Sequence, residues 1–219
     1  EFWKKANAIR LLERYVGRLA SFNNDIQGTA AVTLAGVFAG LNTIQQRIRD
    51  QRFLLVGTGA AGVGIGQLLM TAMKADGLTP AEGKTRQLFL DSGGLVVSTR
   101  ADLEKHKRAV AWTPEECAAA GFDSLLPTRL EDIINLFKPT VLIGTTGRAG
   151  EFTPAALRAL AKHCERPLIF PLSNPTANTE CTPSEAIQAS AGRALVATGS
   201  PFEPVLFGGK KHVIGQCNN

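Results

Sequence analysis

The chain has 219 residues, 44% of them hydrophobic and 20% charged, with a formal net charge of +5. That length allows one full domain, or a domain and a half, and excludes two complete enzyme domains; the composition excludes a disordered chain. Lys and Arg are spread along the sequence beside one Tyr and two Trp, which argues against a nucleic-acid surface and leaves the charge as solvation or as attraction for anionic ligands.

No apolar run reaches the length of a membrane span, and the opening "EFWKKANAIR" lacks a basic-then-apolar secretory pattern. A soluble, non-exported, cytoplasmic protein is expected. Cys117, Cys164, Cys181 and Cys217 form no C-x-x-C pair, so reduced thiols are expected rather than a zinc site or a disulfide framework.

In chain order, Ile9, Leu11, Leu12, Tyr15, Val16 and Leu19 recur at helical spacing and predict a helix over 6–19. The polar stretch "FNNDIQGTA", residues 22–30, stands before a second, more buried helix rich in small residues that runs to Asp50. Such a stretch reads either as a helix cap, supplied by Asn23, Asn24 or Asp25, or as part of an active site.

Phe53–Val56 then predicts a strand, the glycines that follow a tight turn, and the apolar run to about Ala75 a helix. The next strand ends in Asp91. "TVLIGTTG", "RPLIFPLS", "RALVATGS" and "HVIGQ" are further runs of strand length, separated by the helical segments "TRLEDIINLF", "TPAALRALAKHC" and "TPSEAIQAS". This alternation predicts a parallel sheet covered on both faces, with right-handed crossovers. The chain divides into a helical segment, 1–50, and a sheet domain, 51–219.

Gly57, Gly59 and Gly62 satisfy G-x-G-x-x-G between strand and helix. The first permits the turn, the second lets backbone approach a pyrophosphate, and the third allows close helix-to-strand packing. Phosphates would then rest on Gly57, Thr58, Gly59, Ala60, Ala61 and Gly62, at the positive end of the helix. A tight turn without ligand is the plainer alternative. Against it, Asp91 ends the next strand, as a ribose-binding acid does, with "ADGLTPAEGKTR" read as an inserted connection. The expected fold is therefore a Rossmann-like, doubly wound, mostly parallel sheet preceded by two helices. Asp91 favours the free ribose of NAD; Ser92, Arg100, Lys105, Lys107 and Arg108 could receive the extra phosphate of NADP, and together they tilt the balance to NADP.

"FNNDIQGTAAVTLAG", "RFLLVGTGAAGVGIGQLL", "LDSGGLV", "FKPTVLIGTTGRAGEFT", "ERPLIFPLSNPTANTECTPSEA", "GRALVATGSPFEPV" and "GQCNN" resemble, in this order, the motifs of the NAD(P)-binding domain of malic enzymes. The resemblance covers nearly the whole chain. It implies oxidative decarboxylation of L-malate to pyruvate and CO2 with NAD or NADP and a divalent metal, Mg2+ or Mn2+, in a homodimer or homotetramer. Hard oxygen ligands suit such a metal. The resemblance places one on Asp25 and another on Glu1, the first of an upstream acidic pair whose second member is here Phe2; alternatively Glu1-Phe2 is a cloning remnant. Asn24 stands where the family carries a second carboxylate.

The resemblance also assigns Asn174, Asn218 and Asn219 to the substrate side, Asn174 and Asn218 within reach of the cofactor too, where an amide can donate to a carboxylate and accept from a carboxamide. Thr145, Thr146 and Gly147 would back the cofactor, and Thr198, Gly199 and Ser200 occupy the analogous place after the next strand but one. His106, His163 and His212 match no catalytic motif, and Tyr15 reads as packing. The family's acid, base and malate-binding arginine sit in a preceding domain, so this chain is expected to hold the cofactor and no proton-transfer group. A dinucleotide module without turnover, a malolactic enzyme and another α/β dehydrogenase are the alternatives.

Overall fold

The computed structural model describes residues 5–122 and 129–217. Helix α1 spans Lys5–Tyr15, a wide π turn follows at Asn24–Gly28, and α2 spans Thr29–Thr43. The sheet domain then runs β1 (Phe53–Val56), α3 (Ala60–Ala75), α4 (Pro80–Thr85), β2 (Gln87–Asp91), β3 (Gly94–Leu95), α5 (Lys105–Arg108), α6 (Pro114–Ala119), α7 (Leu130–Phe137), β4 (Val141–Gly144), α8 (Pro154–His163), β5 (Leu168–Pro171), α9 (Pro183–Ala189), β6 (Leu195–Thr198), β7 (Val205–Phe207), β8 (Lys210–His212) and β9 (Gly215–Gln216).

Seven strands form one sheet in the order β3-β2-β1-β4-β5-β6-β9, and β7 pairs with β8 in a separate hairpin. All pairings in the large sheet are parallel except β2 with β3, which closes a short antiparallel turn at Asp91 and Gly94. Strands β1, β4 and β5 are buried along their whole length, as expected where both faces are covered. Alternation along each strand sorts the side chains into two layers. Leu54, Leu88, Leu142 and Ile169 join α7, α8 and α9 in one core. Phe53, Leu55, Phe89, Ile143 and Phe170 join α2 and α3 in the other. This is the doubly wound α/β architecture expected.

Local chemistry starts the helices. Thr79, Thr113 and Thr182 each cap a helix whose first residue is Pro and whose third is Glu, with the Glu carboxylate returning to the Thr backbone N–H. Thr153 caps α8 in the same Thr-Pro setting. Proline at that position sacrifices no helical hydrogen bond, because its N–H has no partner there anyway. In the core, Trp112 packs edge-on against Phe122 and Phe137, and its indole N–H donates to the Gln87 carbonyl at 2.8 Å, so its polar atom is satisfied inside an apolar cluster.

Several boundaries differ from the periodic reading. The first helix ends at Tyr15, leaving Val16 and Leu19 exposed. α2 stops at Thr43, and the chain reverses through Gln45 at φ +54 before a 3-10 turn at Ile48–Asp50. "HVIGQ" is two strands rather than one: His212 belongs to the β7–β8 hairpin, and Gly215–Gln216 pairs with β6. α2 approaches the sheet closely because it is lined with small residues; a Cβ on Gly40 would lie 2.7 Å from Leu168 Cδ2.

Candidate functional site

From β1 the chain passes by α3 to β2 on one side, whereas β4 lies on the other. The carboxyl ends of β1 and β4 therefore border the switch point, where open α/β sheets leave a crevice. A cleft of about 860 Å³ lies there, lined among others by Gly57, Thr58, Gly59, Asp91, Ser92, Thr145 and Thr146.

The glycine turn is held tightly. Gly57 adopts φ +105, and a Cβ there would fall 2.6 Å from the Thr145 carbonyl oxygen. The Thr145 hydroxyl donates to the Gly57 carbonyl at 2.9 Å, tying β1's turn to β4's. A Cβ on Gly62 would fall 1.9 Å from the same Gly57 oxygen. Gly59 is the extended residue before α3 and brings no side-chain cap to that helix, so its first N–H groups can meet a ligand. The hydroxyl of Thr58 is buried without a hydrogen-bond partner among the described residues. Ala60 and Ala61 form the first turn of α3.

Asp91, at the end of β2, is already engaged. Its carboxylate accepts from Arg100 Nη1 at 2.7 Å, Lys107 Nζ at 2.7 Å and the Gly93 N–H at 2.8 Å. Burial pushes its pKa up, but the hydrogen bonds from Arg100, Lys107 and Gly93 outweigh that and hold the carboxyl at about 2. Lys107 and Ser92 line the cleft. Arg108, at the exposed end of α5, does not line it, and neither do the three histidines or the Thr198–Ser200 turn. Gly199 instead packs on β5's exit, where a Cβ would meet the Leu172 oxygen at 2.0 Å.

Beyond β4, the Thr146 N–H and hydroxyl donate to Glu180 Oε1 at 2.8 and 2.9 Å. The Gly147 N–H donates to the Ser173 hydroxyl at 2.8 Å. Ser173 stands beside the exposed Asn174. Glu180 and its bond to Ser173 escaped the sequence reading, because an acid 34 residues from Thr146 carries no local signal.

The polar stretch before α2 proves to be a cap. Asn23 Oδ1 accepts from the Ile26 N–H at 2.9 Å, and Gln27 Oε1 accepts from the Asn23 N–H at 2.9 Å. The π turn it opens carries Asp25 exposed at its start and packs against α3, where a Cβ on Gly64 would fall 2.6 Å from the Ile26 oxygen. π turns are frequent at functional sites. Among the described residues, no group of three His, Cys, Asp or Glu side chains could hold a metal ion. Asp25 therefore belongs to no such group among the described residues, which do not supply a full set of side-chain ligands of these types. Glu1, Asn218 and Asn219 lie outside the described residues.

Strand order, glycine turn and cleft define a Rossmann-like, doubly wound domain of the dinucleotide-binding type. Residues 26–219 match the family model described as malic enzyme, NAD binding domain, and the chain belongs to that family. The "NAD-dependent malic enzyme" of Sodalis glossinidius is 42% identical over 219 residues, all of this chain and 39% of that protein. The protein of the same name from Acinetobacter baylyi is 41% identical, over all of this chain and 38% of its own. The chain thus spans about two fifths of the curated relatives' length. Among solved structures, the malic enzyme of Entamoeba histolytica superposes with a TM-score of 0.71 at 22% identity, over 97% of this chain and 38% of that one. The NAD-dependent malic enzyme of Thermotoga maritima gives 0.69 at 24%, over 96% and 47%. These two likenesses speak to the fold.

Proposed function

We propose that this chain is the cofactor-binding part of a malic enzyme, an oxidoreductase that converts L-malate to pyruvate and CO2. The observation that carries this reading is the Gly57–Gly62 turn at the switch point, whose missing Cβ atoms would strike Thr145 and Gly57, beside a helix start with no side-chain cap. A pyrophosphate meets backbone N–H groups and the positive end of α3 there.

The adenosine ribose lies toward Asp91, on the β1–β2 half, and the nicotinamide half crosses to the loops after β4 and β5. The bound cofactor supplies a hydride acceptor; the chain binds it, orients it and brings Asn174 toward the substrate side. We infer NAD rather than NADP, against the tilt given by the basic residues in sequence. Arg100 is paired with Asp91 and Asp102 and Lys107 with Asp91 and Glu104, and the relatives are named NAD-dependent.

Asp25 is the carboxylate we propose for a Mg2+ or Mn2+ ion. Glu1, outside the described residues, is the second ligand of this proposal. The acid and base are assigned to another part of the parent protein. The division near residue 50, a cytoplasmic setting supported by four free cysteines, and a homo-oligomer supported by the exposed Leu19 and Phe22 complete the proposal. No described helix is long and apolar enough to cross a membrane.

The test is malate-dependent reduction of NAD+ by the parent protein with Mn2+, with product identified. Pyruvate supports the assignment. Lactate without net reduction indicates a malolactic enzyme, and cofactor binding without any turnover indicates a binding module.

A further inference from the structure

Glu180 is completely buried, and among the described residues no Lys, Arg or His pairs with it. A carboxylate in that position is costly unless its oxygens are fully hydrogen-bonded. Its partners come from two different loops. From the loop after β4, the Thr146 N–H and hydroxyl donate to Oε1 at 2.8 and 2.9 Å. From the loop after β5, the Ser173 N–H donates to Oε2 at 3.2 Å, and the Ser173 hydroxyl donates to Oε1. Ser173 in turn accepts from the Gly147 N–H.

Space for this carboxylate is made by Gly144, the last residue of β4: a Cβ there would lie 2.6 Å from Glu180 Cδ. The Glu180 backbone is fixed independently, its carbonyl accepting from the Phe152 N–H at 3.0 Å. The side chain is thus a rigid post between the loop that borders the cleft at Thr146 and the loop that carries Asn174.

We infer that Glu180 is a positioning residue that sets the nicotinamide-side wall of the cleft and couples it to Asn174. This rests on the dinucleotide reading of the cleft. Both carboxylate oxygens face backbone N–H donors, one from each loop. A glutamine of the same shape has one acceptor oxygen and one NH2 group, so it must turn a donor toward one of those donors. One loop is then released. The glycine turn and Asp91, proposed for the adenosine half, are not among the side-chain hydrogen-bond partners of Glu180, which are Thr146 and Ser173.

The experiment compares NAD+ with ADP-ribose, which lacks the nicotinamide, by calorimetric titration of the chain and its Glu180→Gln variant. NAD+ affinity should fall about tenfold, the size expected for losing a charge-assisted hydrogen bond, while ADP-ribose affinity stays as in the wild type. Ser173→Ala, which removes one donor and the acceptor of Gly147, should shift NAD+ selectively in the same direction and decides the matter should Glu180→Gln fail to fold. Equal losses for both ligands would mean a structural role only, and no loss for either would overturn the inference while leaving the cleft assignment intact. A wild-type chain that binds neither ligand would overturn the cleft assignment itself.

Discussion

The Cβ that Gly62 lacks would fall 1.9 Å from the carbonyl oxygen of Gly57, and that oxygen also accepts the Thr145 hydroxyl at 2.9 Å. One carbonyl therefore joins the first turn of α3, the end of β1 and the end of β4. Gly62→Ala must push α3 off the strand or break the Thr145 bond. It should destabilise the chain by about 1–3 kcal/mol, as overpacking does, and lose dinucleotide affinity beyond detection. Urea unfolding and a dinucleotide titration check the two effects separately.

Asp91 gives the chain a pH signature. Its carboxyl titrates at about 2 when folded against 3.8 ordinarily, so on acidification the unfolded chain takes up the proton first. Its contribution to stability is whole above about pH 4 and is lost as the pH falls through about 2. In Asp91→Asn that part of the acid dependence should vanish. The same variant takes one carboxylate from Arg100 and Lys107, which keep Asp102 and Glu104 as partners, so affinity for NADP+ relative to NAD+ should rise, by up to about tenfold for a cation turned to the extra phosphate. A ratio unchanged from the wild type would show that these two cations do not face the ribose.

The polar stretch before α2 separates into two roles that mutation can tell apart. Asn23→Ala removes the cap on the π turn and should cost about 1 kcal/mol, seen in chemical denaturation. Asp25→Asn should leave stability and NAD+ affinity as they are, and in the parent enzyme should raise the Mn2+ concentration needed for malate oxidation. Unchanged metal dependence in Asp25→Asn would remove Asp25 from the proposed metal site.

The thiols are predicted to be inert. Burial raises the pKa of Cys117, Cys164, Cys181 and Cys217, and a thiol reagent attacks through the thiolate. At pH 8 the folded chain should react slowly, and labelling should rise with urea along the unfolding curve. Rapid labelling of Cys117, Cys181 or Cys217 without denaturant would contradict that thiol's burial.

What could be read from sequence was what is local. β1, the glycine turn and α3 are consecutive, and each carries its own signal: an apolar run, glycines, then helical spacing. Thr-Pro before an acid at the third helical position is equally local and opens α4, α6 and α9, but of these only α9 is expected from the sequence, where the α4 segment reads as an inserted connection. The stop of α2 was not legible, because it depends on Gln45 adopting a left-handed conformation that only the fold imposes. The hairpin of β7 with β8 and the two-residue β3 are too short for periodicity to register. In the candidate site, the glycines were legible by type and spacing, and Asp91 by its place at the end of a strand, although its separation from the glycines is longer than usual. Asp91's bonds to Arg100 and Lys107 and Glu180's to Thr146 and Ser173 join residues from separate turns and loops, and no pattern of neighbours announces them.

The most direct measurement is a calorimetric titration of NAD+ and NADP+ into this chain, with Gly62→Ala as the control. Saturable binding of NAD+, tighter than that of NADP+ and abolished by Gly62→Ala, is the predicted result. Absence of binding by either dinucleotide at millimolar concentration, from a chain shown to be folded, would contradict the assignment of the switch-point cleft as a cofactor site.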